Sequence, residues 1–113
     1  MTKSKIVFDV ELDKDHVPEK ISWSATDNPQ GDAATETKAV SISLWDQAQK
    51  QSLRIDLWAK DMPVDEMKKF YIESLAGLGD SVKRSTGDEG MSQKIHDLCG
   101  QLIEYIKKTQ DNP

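Results

Sequence analysis

The chain has 113 residues, a formal net charge of −5 and 31% charged side chains, and its sequence pI is about 4.9. Phosphate backbones repel such an acidic surface. The densest basic clusters, Lys68-Lys69 and Lys107-Lys108, hold only two residues each, so we expect no nucleic-acid partner. The same argument counts against docking on anionic lipid. A chain of this length suits one domain, and we expect a single domain over residues 1–113.

The distribution of apolar residues predicts a cytoplasmic protein. No segment approaches the roughly 20 apolar residues of a membrane-spanning helix, so we expect no membrane insertion. The first residues lack the uninterrupted apolar core of about 7–15 residues that a signal peptide needs. Cys99 is the single cysteine, which excludes an internal disulfide and fits a reducing compartment.

Two segments near the start of the chain alternate apolar and polar residues, as half-buried strands do. Residues 5–12 and 20–25 have this pattern, and a turn lies between them. Residues 26–37 contain no large apolar side chain, and Asn28, Pro29 and Gly31 are turn formers. We therefore expect a mobile loop over about 26–37.

Residues 38–45 and 52–58 give the strongest local signal, which predicts a β-hairpin. A loop from Asp46 to Gln51 places Leu44 opposite Leu53. This register puts six aliphatic residues on one face, because side chains alternate along a strand. Those residues are Val40, Ile42, Leu44, Leu53, Ile55 and Leu57. The opposite face pairs Trp45 with Ser52, Ser43 with Arg54, Ser41 with Asp56, and Ala39 with Trp58.

Two helices are predicted after the hairpin. Asp61-Met62-Pro63 is a start signal, because proline is tolerated in the first turn of a helix. Apolar residues then recur at spacings of three and four as far as Val82. The glycines Gly77 and Gly79 are interpreted as the end of this helix. A polar connection over 83–90 leads to a second helix from Ser92 to Lys108, and the tail from 109 to 113 should fray.

This order predicts an α+β fold: a four-stranded mainly antiparallel sheet with two C-terminal helices packed on one face. The six aliphatic residues of the hairpin should form the covered face.

The residues that could carry chemistry do not form a recognisable catalytic or metal site. His96 and Cys99 are three apart on a helix, but a structural zinc site needs four ligands and the only other histidine is His16. A thiol beside a buried helical stripe is usually inert. The many carboxylates lie in solvent-facing patterns. We therefore expect no cofactor, no metal and no enzymatic activity.

The polar face of the hairpin is the candidate site. It carries Trp45, Arg54, Asp56 and Trp58, and we predict that these residues bind a protein, with Arg54 and Trp58 as anchors. Tryptophan and arginine dominate the energetics of protein interfaces. The alternative is a partly covered sheet face with a surface ion pair between Arg54 and Asp56.

The run Arg54-Ile-Asp-Leu-Trp-Ala-Lys-Asp-Met-Pro-Val-Asp-Glu-Met67 resembles the gliding motility-associated protein GldC family. The segments Val17-Pro-Glu-Lys-Ile-Ser-Trp-Ser-Ala25 and Leu44-Trp-Asp46 are similar to the same family. The resemblance spans about residues 5 to 105. It implies a small cytoplasmic protein of gliding bacteria, linked to a motility apparatus that also involves a dedicated protein-secretion system, and it implies no cofactor.

Two functions follow as hypotheses. The first is an accessory protein of gliding motility that binds another protein, a motility or secretion component. The second is a small cytoplasmic chaperone or adaptor for a secreted client protein. An enzyme or small-ligand domain ranks below both. The oligomeric state is left open.

Overall fold

The computed structural model describes residues 2–27 and 34–111. Its contacts divide the chain into two compact units, Met1–Pro63 and Val64–Pro113. Among the described residues, the first unit contains the strands and the second contains the two helices, which confirms the α+β class. The expectations of a single domain, and of helices packed on one face of the sheet, stay predictions.

The elements follow the predicted order with one addition. Five strands precede two helices in the described part of the chain: β1 Ile6–Leu12, β2 Pro18–Ala25, β3 Thr35–Thr37, β4 Ala39–Asp46, β5 Gln51–Trp58, α1 Val64–Thr86 and α2 Glu89–Asp111. The loop expected over 26–37 is therefore wrong at its C-terminal end, where Thr35–Thr37 form β3. Residues 28–33 of that predicted loop lie outside the described residues.

The prediction of one four-stranded sheet is wrong. The strands form a three-stranded antiparallel sheet, β1-β2-β3, and a separate two-stranded antiparallel sheet, β4-β5. β3 and β4 are nearly one continuous strand, interrupted by a bend at Lys38. The residues before the bend pair with β2, and those after it pair with β5.

The phase of the apolar residues explains this break. Thr37 pairs with the buried Ile21, so the two share one face of the first sheet. Strict alternation would carry that face on to Ala39 and Ser41, whereas the aliphatic residues of β4 begin at Val40. In one flat sheet the apolar sets of the two halves would lie on opposite sides, and the sheet divides where their phase changes.

The turn between β1 and β2 is closed by Asp13. Its Oδ1 accepts hydrogen bonds from the backbone N–H of Asp15, at 2.8 Å, and of Val17, at 3.0 Å. Its Oδ2 lies 3.1 Å from Nζ of Lys60, which follows β5. His16 takes a positive φ of 63°. One carboxylate thus ties a turn to the end of a strand that is distant in sequence.

The hairpin register is confirmed at every predicted pair, from Ala39 opposite Trp58 to Trp45 opposite Ser52. Lys50 closes its turn with a backbone N–H bond to the carbonyl of Asp46, at 2.8 Å, and with a φ of 56°. The expectation that the helices cover its aliphatic face stays a prediction. Val40 is buried, whereas Leu44, Leu53 and Ile55 are exposed.

The second unit is a helical hairpin with longer helices than predicted. α1 continues through Gly77 and Gly79 to Thr86, so the interpretation of these glycines as a helix end is wrong. Gly87, at a φ of 76°, ends the helix, and Oδ1 of Asp88 accepts the backbone N–H of Met91 at 2.9 Å as an N-cap. α2 runs on to Asp111, past the start of the expected frayed tail.

Candidate functional site

The polar face of the β4–β5 hairpin holds all four residues that the sequence predicts as a protein-binding site. Trp45 and Trp58 lie at its two ends, and Arg54 and Asp56 lie between them. Ser41 and Ser43 of β4 stand opposite Asp56 and Arg54. We call these six residues the tryptophan–arginine face. They point to one side because the register places them at alternate positions of paired strands.

Arg54 is bound to its own hairpin through three nitrogens. Its Nη1 donates to Oγ of Ser43 at 2.7 Å, and its Nη2 donates to Oγ of Ser41 at 2.6 Å and to Oδ1 of Asp56 at 3.0 Å. Its Nε donates to the other carboxylate oxygen at 3.3 Å. A guanidinium has five N–H donors in a fixed plane. All four hydrogen bonds that Arg54 donates here stay within the hairpin, so the side chain is held flat along the face.

Asp56 completes the network as its acceptor. The Ser41 hydroxyl donates to Oδ1 of Asp56 at 2.6 Å. This hydroxyl and, second, the Arg54 guanidinium hold the pKa of the Asp56 carboxyl below its usual value of 3.8. Hydrogen bonds and an adjacent positive charge both favour the ionised form. The pair is therefore charged at neutral pH, and its two charges cancel within the face.

The two tryptophans are exposed at the ends of this face, and the Arg54 side chain between them is 49% exposed as well. Trp45 is 63% exposed and Trp58 is 49% exposed. The register separates them by six positions along β4, which corresponds to about 20 Å at the usual strand rise. The two indoles therefore cannot enter one pocket of a partner. They mark the ends of an elongated surface whose middle is a neutral polar network.

Both serines lie opposite the predicted residues, Asp56 and Arg54, but the sequence did not reveal their role. The alternative interpretation joined Arg54 and Asp56 as a surface ion pair, whereas in the structure Ser41 also accepts from the arginine and donates to the aspartate. The signal was present in the register, which sets a hydroxyl opposite each charged residue. A small hydroxyl opposite a long guanidinium lets that group lie across the neighbouring strand.

The remaining candidate chemistry is sparse over residues 2–27 and 34–111. No group of three or more His, Cys, Asp or Glu side chains there could hold a metal ion. Cys99 is buried, with Sγ 3.7 Å from the carbonyl oxygen of Ile72, and His96 contacts Asp80 instead of the thiol. None of the described helices is both long enough and apolar enough to span a bilayer.

A family model described as gliding motility-associated protein GldC-like matches residues 18–108. The chain belongs to this GldC-like family. The match confirms the resemblance seen in the sequence, and it includes β2 to β5 and all of α1. The whole tryptophan–arginine face therefore lies within the GldC-like region, whereas β1 precedes it. No curated protein and no solved structure matches the chain.

Proposed function

We propose that this GldC-like protein is a non-enzymatic, cytoplasmic accessory protein of bacterial gliding motility, and that it acts by binding another protein through the tryptophan–arginine face. Membership of a gliding motility-associated family supports the process. The location of the binding site is inferred from the pair of exposed indoles at the two ends of a face that its own hydrogen bonds hold flat.

The indoles are the anchors of the proposed interface. Tryptophan gives a large contact area at a low cost in side-chain entropy, and it is enriched among the residues that dominate binding energy. Arg54 is already engaged by Ser41, Ser43 and Asp56, so its part is to keep the middle of the face flat. The sequence alone predicted Arg54 and Trp58 as the anchors, whereas we propose Trp45 in place of Arg54.

The partner fits this face by shape and apolar contact more than by charge. Arg54 and Asp56 neutralise each other, so the face has little net charge with which to attract a charged ligand. Two apolar contacts about 20 Å apart require an elongated partner surface. A folded motility or secretion component offers such a surface in a fixed geometry.

The test is rescue of gliding in a cell that lacks the protein. A Trp45→Ala, Trp58→Ala double variant should keep the circular dichroism of the wild type and fail to restore gliding, because each anchor is removed with little change in packing. Tyr105→Ala is the matched control, since Tyr105 is also 63% exposed but lies on α2. Full rescue by the folded double variant would show that this face is not the binding site.

Affinity capture with the same variants separates this function from the chaperone or adaptor alternative. The wild type should recover a folded motility component that the double variant loses. Recovery of an unfolded secreted client by both proteins would favour the alternative.

A further inference from the structure

Over the described residues, the outer edge of β5 presents a row of backbone groups that no strand pairs with. The backbone N–H of Ala59 donates to the carbonyl of Lys38 at 2.8 Å, which identifies the bonded pairs of the hairpin. Bonded pairs alternate in an antiparallel ladder. The residues 51, 53, 55 and 57 therefore bond to β4, and the backbone groups of Ser52, Arg54, Asp56 and Trp58 point away from it.

One backbone hydrogen bond shows that the groups of this edge point away from β4. Lys60 is in phase with Trp58, and its N–H donates at 3.0 Å to the carbonyl of Pro18 in β2, on the side away from β4. Within residues 2–27 and 34–111, no strand pairs with the edge from Trp58 back to Ser52. An unpaired edge of this length is a template for another strand.

The edge lacks several of the usual protections against pairing. β5 contains no proline, no lysine and no residue with positive φ. β1 differs, because a register shift lies between Glu11 and Leu12 and its charged residues, Asp9 and Glu11, are both acidic. A second copy placed on β1 would set acid near acid, whereas β5 carries one charge of each sign.

We propose that β5 pairs edge to edge with β5 of a second copy of this chain, antiparallel and centred on Ile55. In this register Arg54 lies opposite Asp56 of the partner subunit, and Asp56 lies opposite Arg54 of the partner subunit. Both residues have outward-pointing backbone groups, so the pairs also exchange backbone hydrogen bonds.

Charge selects this register and the occupant. If the twofold axis (the dyad) passed through residue 54, Arg54 would lie opposite Arg54 of the partner subunit. If it passed through residue 56, Asp56 would lie opposite Asp56 of the partner subunit. Like charges directly opposite destabilise a sheet, and opposite charges stabilise it. On the other face, Leu53 meets Leu57 of the partner subunit, which buries exposed aliphatic surface. The sequence of β5 is thus complementary to its own reverse.

The first experiment is sedimentation equilibrium over a micromolar to millimolar concentration range in physiological salt. The wild type should approach twice the chain mass of 12.7 kDa. Arg54→Asp and Asp56→Arg each create two like-charge pairs across the dyad, so each variant alone should dimerise at least about tenfold more weakly. An equimolar mixture of the two variants should dimerise again, because every cross-strand pair then has opposite charges.

The mixture separates pairing from folding. Both variants lose the internal network of the tryptophan–arginine face, so recovery on mixing cannot come from within one chain. Circular dichroism of each variant checks that the strands remain. A wild type that stays monomeric at every concentration, or folded variants whose mixture stays monomeric, would overturn the proposal.

Cross-linking fixes the register in a Cys99→Ala background. Ile55→Cys should oxidise to a covalent dimer, because residue 55 faces its own copy at a Cα separation of about 4.5 Å, within the range of a disulfide. Leu53→Cys is the matched control, since the two copies of residue 53 would be about 13 Å apart. Equal cross-linking of both variants would show another mode of association.

Failure of the dimer leaves the proposed function standing. The Trp45→Ala, Trp58→Ala variant keeps both charges of β5, so its effect on gliding is separable from its mass in solution.

Discussion

The distance between α1 and α2 at Gly79 depends on the absence of a side chain. A Cβ at this position would lie 3.0 Å from Nε2 of His96 and 3.2 Å from Cγ2 of Ile95. The same His96 nitrogen is 3.1 Å from Oδ1 of Asp80. The glycine therefore makes room for an imidazole that contacts a carboxylate of the facing helix.

We expect Gly79→Ala to lower the free energy of unfolding by about 1 kcal/mol. Overpacking costs about 1–3 kcal/mol, which outweighs the gain of about 1 kcal/mol from the higher helix propensity of alanine. Gly77→Ala is the control, because a Cβ there meets nothing within 4 Å. It should raise the free energy of unfolding by about 1 kcal/mol. Urea titration measures both, and equal stabilisation by the two changes would contradict the close packing of His96.

Acid should weaken the protein partly through Asp13. The backbone N–H of Val17 and, second, the Lys60 ammonium hold the pKa of its carboxyl below 3.8. The folded protein thus binds this proton more weakly than the unfolded chain does. The stabilisation is complete above the ordinary pKa and is lost as the pH falls through the lower, folded value.

Asp13→Asn should therefore be less stable than the wild type near neutral pH. The difference in urea midpoint between the two proteins should shrink as the pH falls below 3.8, because protonation removes the same ionised acceptor from the wild type. A difference that stays constant through this range would mean that the carboxylate charge contributes nothing.

At the scale of elements, two isoleucines in strands differ in how much of their surface is buried. Ile21 of β2 is 0% exposed and Ile55 of β5 is 46% exposed. Ile21→Ala should cost about 2–5 kcal/mol, the usual range for a buried aliphatic residue. Ile55→Ala should cost about 1 kcal/mol, since only about half of its apolar surface is covered.

Urea titration at low protein concentration measures this contrast, because association through β5 would add to the stability at high concentration. A loss of several kcal/mol at Ile55 in the dilute protein would mean that the aliphatic face of the hairpin is covered after all.

The hairpin could be predicted from sequence and the division of the sheet could not. Its register depends on alternation within a few residues, and Leu44 opposite Leu53 fixes every other pair. The bend at Lys38 depends on a change of phase between Thr37 and Val40, which alternation within each strand does not display. Gly79 was misread for a similar reason: its cause, His96, lies on another helix.

At the scale of the whole molecule, the sequence predicted the α+β class and the GldC-like family. It also placed Trp45, Arg54, Asp56 and Trp58 on one face of one hairpin. The internal bonding of Arg54 required coordinates, because two serine hydroxyls and a carboxylate compete for one guanidinium. Sequence patterns assign residues to faces, and atomic positions decide which of them remain free for a partner.

The placement of the indoles also gives the protein an optical reporter. Of its three tryptophans, Trp23 is half-buried on β2, while Trp45 and Trp58 are exposed on the hairpin. Indole emission moves to shorter wavelength when water is excluded, so anything that covers this surface changes the intrinsic fluorescence. Single replacement of either residue by phenylalanine assigns the signal to one end of the hairpin, and an extrinsic dye is unnecessary.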